Sequence, residues 1–292
     1  MKNLILLFFC ALSISIAAQD KSQGVLIYEQ TVDMSQRIEE MKKDTAMMER
    51  FRRRGADLTQ MIPEQQKLTK QLYFRGNETL FSSFVDEDEE AGSSRGRRGG
   101  MWRMRMMGGG NMSTEVYYNM DEAEKVEQKD FYGNNYVIVT DLSKKPWKLV
   151  GEQREIMGFT CMKAEFIEEP EPSMFENQKD EESEARPAGF GQMPEPKPRF
   201  IEAWFTSEIP SPGGPENFNG LPGMILELAI DHGVVVYKLK SVDFKEIKAK
   251  DLKRPARGKE VTNEEFTELV REQMKVMRES QQGGSGRTYF RH

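Results

Sequence analysis

Apolar and polar residues alternate with a period of two in many short stretches of this chain. The clearest stretch runs from Met224 to Ile230, with an apolar residue at every second position. Because successive side chains of a strand point to opposite faces, this pattern predicts a strand with one apolar face. The turn-forming residues Asp231-His232-Gly233 follow, and the apolar pattern resumes over 234–239. The two stretches therefore predict a β-hairpin.

Similar stretches predict further strands at 24–32, 71–75, 79–85, 114–119, 125–131, 136–140, 147–150, 159–167 and 200–206. A helical period appears only twice, at about 36–60 and after Thr262. The second helix has a capping box, because Glu265 follows Thr262 by three residues, and Gly283 ends it. Short strands at regular spacing with two helices predict an α+β, mainly β protein: an antiparallel sheet with a flanking N-terminal helix and a C-terminal helix.

The densest run of Gly and Pro lies between the predicted strands that end near 206 and begin at 224. Its segment Gly220-Leu221-Pro222-Gly223 has Pro and Gly where a type II turn favours them, so we assign Gly220 and Gly223 to a structural turn. Unusual backbone shapes also cluster at binding sites. The candidate ligand- or partner-binding residues of this run are Trp204, Pro215, Leu221 and Pro222. The alternative is a corner that only directs the path of the sheet.

The first 18 residues have the pattern of a secretory signal peptide. Lys2 supplies a positive start, residues 4–16 an apolar core, and Ala17-Ala18 the small residues before a cleavage site. We therefore expect an exported protein, located in the periplasm or associated with the outer membrane. No later segment is long and apolar enough to predict a transmembrane span.

The remaining chain divides by composition into two regions. An antiparallel β domain is predicted over 19–250, with disordered insertions at about 86–112 and 168–198. The first insertion is rich in Gly, Arg and Met, and the second is acidic and broken by prolines. Residues 251–292 are predicted to form a linker, an amphipathic helix and a tail.

Composition argues against several classes of function. The net charge of −6, without a basic stripe, argues against nucleic-acid binding. The chain has two histidines, His232 and His292, and no GxSxG or HExxH motif, so we expect no enzyme and no cofactor. Cys161 is the only cysteine after the signal peptide, so it forms no intrachain disulfide, and its apolar surroundings predict a buried structural thiol.

Methionines in the first insertion allow one metal hypothesis. Thioethers suit Cu(I), but Arg103 and Arg105 place positive charge among them, and no histidine accompanies them. An adaptable apolar surface explains methionines equally well, and we assign no metal ligand. The residues concerned are Met101, Trp102, Met104, Met106, Met107 and Met112.

The segment Gly220-Leu221-Pro222-Gly223-Met224-Ile225 resembles the signature of the GLPGLI family of exported proteins from the Bacteroidota, with Met224 where the family name has its second Leu. Other segments similar to that family are 151–161, 163–164, 203–210 with 214–215, and 258–262. The resemblance implies a curved antiparallel sheet, broadly similar to the half-barrel of periplasmic lipoprotein carriers. The family has no established biochemical activity, so the resemblance implies no catalytic or binding residue.

The sequence as a whole predicts an exported non-enzymatic envelope protein that binds a lipid, another apolar ligand or an outer-membrane protein through its sheet. The alternative is a structural or interaction module without a small-molecule ligand. The difference between them is whether one face of the sheet is open or filled. A Cu(I)-binding protein is the third hypothesis.

Overall fold

The structure is a computed structural model that describes residues 20–43, 45–53, 63–84, 113–131, 133–170 and 197–283. The predicted signal peptide, the Met-rich segment, most of the two predicted insertions and the tail after residue 283 lie outside the described residues.

The described residues form twelve strands and three helices. The strands are β1 (Gln23–Asp33), β2 (Gln65–Arg75), β3 (Glu78–Ser83), β4 (Ser113–Asn119), β5 (Glu124–Phe131), β6 (Asn134–Asp141), β7 (Lys148–Ile156), β8 (Phe159–Glu168), β9 (Arg199–Thr206), β10 (Met224–Ile230), β11 (Val235–Asp243) and β12 (Lys259–Val261). The helices are α1 (Ser35–Lys43), α2 (Thr45–Arg53) and α3 (Asn263–Gly283). The mainly β class predicted from the sequence is therefore confirmed.

All twelve strands belong to one open sheet, in the order β12-β6-β5-β4-β3-β2-β1-β11-β10-β9-β8-β7. The prediction of an antiparallel sheet is wrong at one edge, because β12 pairs parallel to β6, with Val261 opposite Ile138. Every other neighbouring pair is antiparallel. The sheet is mixed because the chain crosses it between β11 and β12 before pairing again. The predicted curvature of the sheet stays a prediction.

The N-terminal helical region differs from the single flanking helix that was predicted over 36–60. It consists of α1 and α2, each nine residues long. The described hydrophobic contact near it is a small cluster of Met34 and Ile38 with Val32 at the end of β1. This cluster at the end of β1 is the apolar contact described for the helical region, so a flanking N-terminal helix packed on the sheet is not supported.

The C-terminal helix is confirmed together with its start signal. The Thr262 backbone N–H donates to the Glu265 carboxylate at 2.9 Å, and the Glu265 N–H donates to Thr262 Oγ1 at 3.1 Å, which is the predicted capping box. Phe266 packs against Phe131 and Tyr136 with ring centroids 5.8 and 5.5 Å apart. These contacts hold α3 on the sheet near β6.

Two faces of the sheet carry separate cores. We call the face with Tyr28, Leu72 and Phe81 the inner face, and the opposite face, with Tyr73 and Leu80, the outer face. The largest apolar cluster lies mainly on the inner face and also includes Trp204 of β9. On the outer face, Ile247 and Leu252 from the chain between β11 and β12 cover a smaller cluster that includes Leu80 and Val137.

Candidate functional site

The chain between β9 and β10, residues 207–223, lies across the inner face, and we call it the crossing loop. Its apolar side chains Ile209, Phe218 and Leu221 are buried in the main core. It extends as far as β3, where a Cβ placed on Gly213 would lie 2.7 Å from Thr79 Cγ2. Since four strands separate β9 from β3 in the sheet, the crossing loop fills the middle of the inner face.

Hydrogen bonds fix the crossing loop to β10 and to Trp147. The Tyr28 hydroxyl donates to the backbone oxygen of Ile225 at 2.6 Å, and the Ile225 N–H donates to the backbone oxygen of Gly213 at 2.9 Å. The Trp147 indole N–H donates to the backbone oxygen of Asn219 at 2.8 Å. The loop therefore satisfies buried polar groups as a packed element would.

A buried polar chain lies beneath the crossing loop. The Gln30 amide donates to the Tyr237 hydroxyl at 2.6 Å, and that hydroxyl donates to the Glu216 carboxylate. Burial raises the pKa of Tyr237, and the charge of Glu216 adds to the effect. Burial also lowers the pKa of Lys70, which Glu216 partly offsets. The network holds a loop carboxylate against the sheet, and it contains no activated nucleophile.

The predicted type II turn at 220–223 is a tighter turn in the structure. The Gly223 N–H donates to the backbone oxygen of Leu221 at 2.8 Å, which closes a three-residue γ-turn. Gly220 and Gly223 have φ values of 88° and 141°, in the region that favours glycine. Their positive φ values agree with the structural role assigned to both glycines.

The four candidate binding residues do not come together. Pro215 and Leu221 are buried in the crossing loop, and Pro222 is exposed at its end. Trp204 lies on the opposite face, because it pairs with Lys163 on β8 and Glu227 on β10. A shared site for these four residues is therefore not formed, and the binding role of each stays a prediction.

Trp204 is the centre of a group of charged side chains on the outer face. The Arg154 guanidinium lies 4.0 Å from the centroid of the Trp204 ring and pairs with Glu227 at 2.9 Å. Lys163 lies 5.8 Å from the same ring and pairs with Glu202 at 3.1 Å. Lys163 also pairs with Glu152 at 3.4 Å. We call this group the Trp204 cluster: Trp204, Arg154, Lys163, Glu152, Glu202 and Glu227.

The Trp204 cluster is the best candidate for a functional surface among the described residues. It draws side chains from β7, β8, β9 and β10, so four strands hold it rigidly. Sequence reasoning singled out Trp204 and missed its partners. The alternation of Glu202, Ala203 and Trp204 could have placed Glu202 and Trp204 on one face of a strand. Arg154 and Lys163 could not have been found without the pairing of β7 and β8 with β9.

A small pocket lies beside the crossing loop. It has a volume of about 10 Å³ and is lined in part by Tyr118, Lys125, Lys145 and Asn219. The Tyr118 hydroxyl is buried and has no hydrogen-bond partner, although the Asn219 amide lies near it. A volume of this size has room for about one water molecule and not for a lipid.

Other candidate chemistry can be placed within the described residues. They contain no group of three His, Cys, Asp or Glu side chains that could hold a metal ion, and the Met-rich segment lies outside them. Cys161 is buried, as predicted, and burial raises the pKa of its thiol to about 11. His232 is exposed, and its ring stacks on Phe200 at 4.7 Å. No helix in the described part of the chain is long and apolar enough to cross a membrane.

A buried carboxylate on β5 makes stability depend on pH. Burial by itself would raise the pKa of Glu127, but Lys129 at 2.9 Å and Lys125 at 3.0 Å lower that pKa to about 2. The folded-state pKa lies below the ordinary value, so the ionised Glu127 carboxylate stabilises the folded protein fully above about pH 4.5. We expect a loss on the order of 2–3 kcal/mol of unfolding free energy as the pH falls from about 4.5 to about 2.

Denaturant unfolding between pH 7 and pH 2 tests this expectation. Glu127→Gln should lower stability at pH 7, because it leaves two lysines without their carboxylate, and should flatten the acid dependence by the same amount. Glu246→Gln, which changes an exposed carboxyl, is the matched control and should keep the wild-type curve. If the unfolding free energy of Glu127→Gln falls between pH 7 and pH 2 by as much as that of the wild type, Glu127 is not the source of the pH dependence.

Comparison with known proteins gives one family model and several solved structures. Among curated proteins there is no significant match. Two structures of PNGF-II, in the P21 and C2 space groups, match with TM-scores of 0.45 and 0.47 and 13% sequence identity. They cover 85% of this chain but only 33% and 32% of their own chains, so this chain spans about a third of the length of the structures it matches. Residues 147–227, which include every member of the Trp204 cluster, match a family described as "Protein of unknown function (Porph_ging)".

Proposed function

We propose that the protein is an exported, non-enzymatic interaction module of the cell envelope, which binds an envelope or outer-membrane protein through the Trp204 cluster. The observation that carries the proposal is the asymmetry of the sheet. The crossing loop and α3 fill the inner face, whereas on the outer face over β7–β10 the buried Trp204 ring, 7% exposed, lies beneath the exposed residues Arg154 and Glu152. Export and envelope location rest on the predicted signal peptide.

The composition of the cluster suits a protein partner. Trp and Arg are enriched among residues that dominate binding energy at interfaces. The Trp204 ring is already fixed beneath the Arg154 guanidinium, so little side-chain freedom would be lost on binding. Glu152 is more exposed than its partner Lys163, and it can exchange that ion pair for one with a partner protein.

An apolar ligand is the second candidate, and the inner face is where it would bind. Phe218 and Leu221 of the crossing loop occupy the apolar surface that a lipid would need. A carrier function would therefore require the crossing loop to leave the inner face, which would expose its buried side chains and break the bonds of Gly213 to Ile225 and of Asn219 to Trp147. Packing thus favours the interaction module.

We further propose that the protein is a member of the GLPGLI family. Support comes from Gly220-Leu221-Pro222-Gly223-Met224-Ile225 and from the additional similar segments at 151–161 and 203–210. The residues that resemble the family signature form the γ-turn and the first two positions of β10, whereas Arg154, Lys163 and Trp204 of the other segments meet in the Trp204 cluster.

Chemical cross-linking in the native envelope, followed by purification of the tagged protein, tests the proposed function. We expect one envelope protein to be recovered with the wild type and about tenfold less with Arg154→Ala, which removes the cation from the Trp204 ring. Lys240→Ala removes a lysine of the same outer face that pairs with Glu29 outside the cluster, and should leave recovery unchanged. Equal recovery with Arg154→Ala would contradict the proposal, and a lipid bound at one per chain would favour the carrier.

A further inference from the structure

Among the described residues, strand β7 forms one edge of the sheet, and it carries exposed apolar residues. It is the last strand in the order, with β8 as its neighbour on one side only. Its residues are exposed from Lys148 to Glu155. Leu149 and Val150 on β7 are 62% and 40% exposed, and Met157, directly after β7, is 54% exposed. An edge with open backbone groups and apolar side chains is a surface on which another strand can pair.

If two copies of β7 pair antiparallel with Gln153 opposite Gln153, residues at equal distances on either side of Gln153 lie opposite each other and match in chemistry. Leu149 and Met157 lie four positions to either side, and Val150 and Ile156 lie three positions to either side, so apolar residues face apolar residues. Two positions away, Gly151 faces Glu155, and one position away, Glu152 faces Arg154. We infer that β7 pairs antiparallel with β7 of a second copy of this chain, about a two-fold axis at Gln153.

The hairpin turn after β7 gives independent support. Met157 and Gly158 form a two-residue turn between β7 and β8, with φ values of 51° and 84°. Such a turn requires a positive φ at both positions and favours Asn, Asp or Gly at the first. Met157 is thus unfavourable both in its backbone conformation and in the exposure of its side chain. Contact with Leu149 of the second copy would bury that side chain.

The local shape of β7 limits the assembly to two chains. The register against β8 shifts between Leu149, opposite Ala164, and Gln153, opposite Met162, and Gly151 in this bulge has a φ of 85°. The bulge lies within the proposed ladder and bends the edge strand locally, so Leu149 and Val150 pair with the second copy on the far side of it. The opposite edge, β12, has only three residues. A two-fold pairing of β7 therefore closes on itself, and the described strands offer no second long edge for growth into a fibre.

Charge at the interface agrees with the same register. Glu152 is exposed and pairs with Lys163 of its own chain, and Arg154 pairs with Glu227. In the two-fold arrangement Glu152 of each copy faces Arg154 of the other, so the alternation of charges continues from one sheet to the next. This inference does not rest on the proposed function, since a second copy and a different envelope protein would be detected separately.

Sedimentation of the purified protein tests the dimer. We expect the wild type to sediment with twice the monomer mass once its concentration reaches roughly 100 μM. We expect Val150→Lys to associate at least tenfold more weakly. Val276→Lys makes the same change at a residue of α3 that is 57% exposed, and should leave the dimer intact. Met157→Asn should also weaken the dimer while keeping the fold, because Asn readily adopts a positive φ. A monomeric wild type, or a dimer unaffected by both β7 variants, would overturn the inference.

A disulfide trap tests the register. On a two-fold axis a residue meets its own copy, so Gln153→Cys should form a covalent dimer on mild oxidation. Lys238→Cys places a thiol at another exposed position, on β11, and should stay monomeric. Cys161 is buried and its thiol pKa is raised to about 11, so it should not interfere. Cross-linking at Lys238→Cys but not at Gln153→Cys would reject the two-fold axis at Gln153.

Discussion

Replacing Gly223 by alanine is expected to lower the free energy of unfolding by about 4 kcal/mol. Two costs add at this position. Its φ of 141° lies where an L side chain is strained, and an added Cβ would lie 2.1 Å from the backbone oxygen of Thr206. Because that oxygen belongs to the end of β9, relief would require moving a strand that packs in the main core.

Gly220→Ala is the matched control for this prediction. Gly220 also has a positive φ, 88°, but an added Cβ would meet nothing within 4 Å. It should therefore show only the backbone cost, about 1 kcal/mol. Urea unfolding of both variants and the wild type separates the two costs. Equal losses for the two variants would contradict the close contact between Gly223 and β9.

Local sequence patterns predicted the elements whose signal lies within a few residues. The alternation from Met224 to Ile230 defines β10 with its observed bounds. The capping box at Thr262 predicted the start of α3 because both of its hydrogen bonds join residues three positions apart. The turn Asp231–Gly233 was also predicted, although Asp231 and His232 both have positive φ there, at 51° and 55°.

Features that depend on distant residues could not be predicted in this way. β12 has three residues, too few for an alternating pattern to register, and its parallel partner β6 lies more than a hundred positions earlier in the chain. The N-terminal helical pattern was overestimated because periodicity shows that a helix has an apolar stripe without showing what covers it. α1 and α2 have such stripes and still make little described contact with the sheet.

The crossing loop illustrates the same limit at the candidate site. Its Gly and Pro residues predicted a backbone of special shape, and the positive φ values of Gly220 and Gly223 agree with this. Nothing local in the sequence indicated that Phe218 would fill the inner face, since a single apolar residue in a polar loop has no period. The question that the sequence left open, whether one face is open or filled, is decided by long-range packing.

Truncating Phe218 to alanine is expected to cost about 3–5 kcal/mol of unfolding free energy. Its side chain is fully buried in the main core, near Phe166 at 6.4 Å, with the Lys145 ammonium 5.7 Å from its ring. The loss of contacts and the cavity left behind both contribute. Phe84→Ala removes a phenyl ring that is 42% exposed, and should change stability by no more than about 0.5 kcal/mol.

The cavity left by Phe218→Ala also tests whether the crossing loop keeps the inner face closed to ligands. Cavities that are made by truncating a large buried apolar side chain can bind benzene. We therefore expect benzene to raise the thermal midpoint of Phe218→Ala and to leave the wild type and Phe84→Ala unchanged. A wild type that is itself stabilised by benzene would mean that the loop leaves the inner face accessible, and would favour the apolar-ligand carrier over the interaction module. A Phe218→Ala variant as stable as the wild type would instead show that the crossing loop is not packed on the sheet.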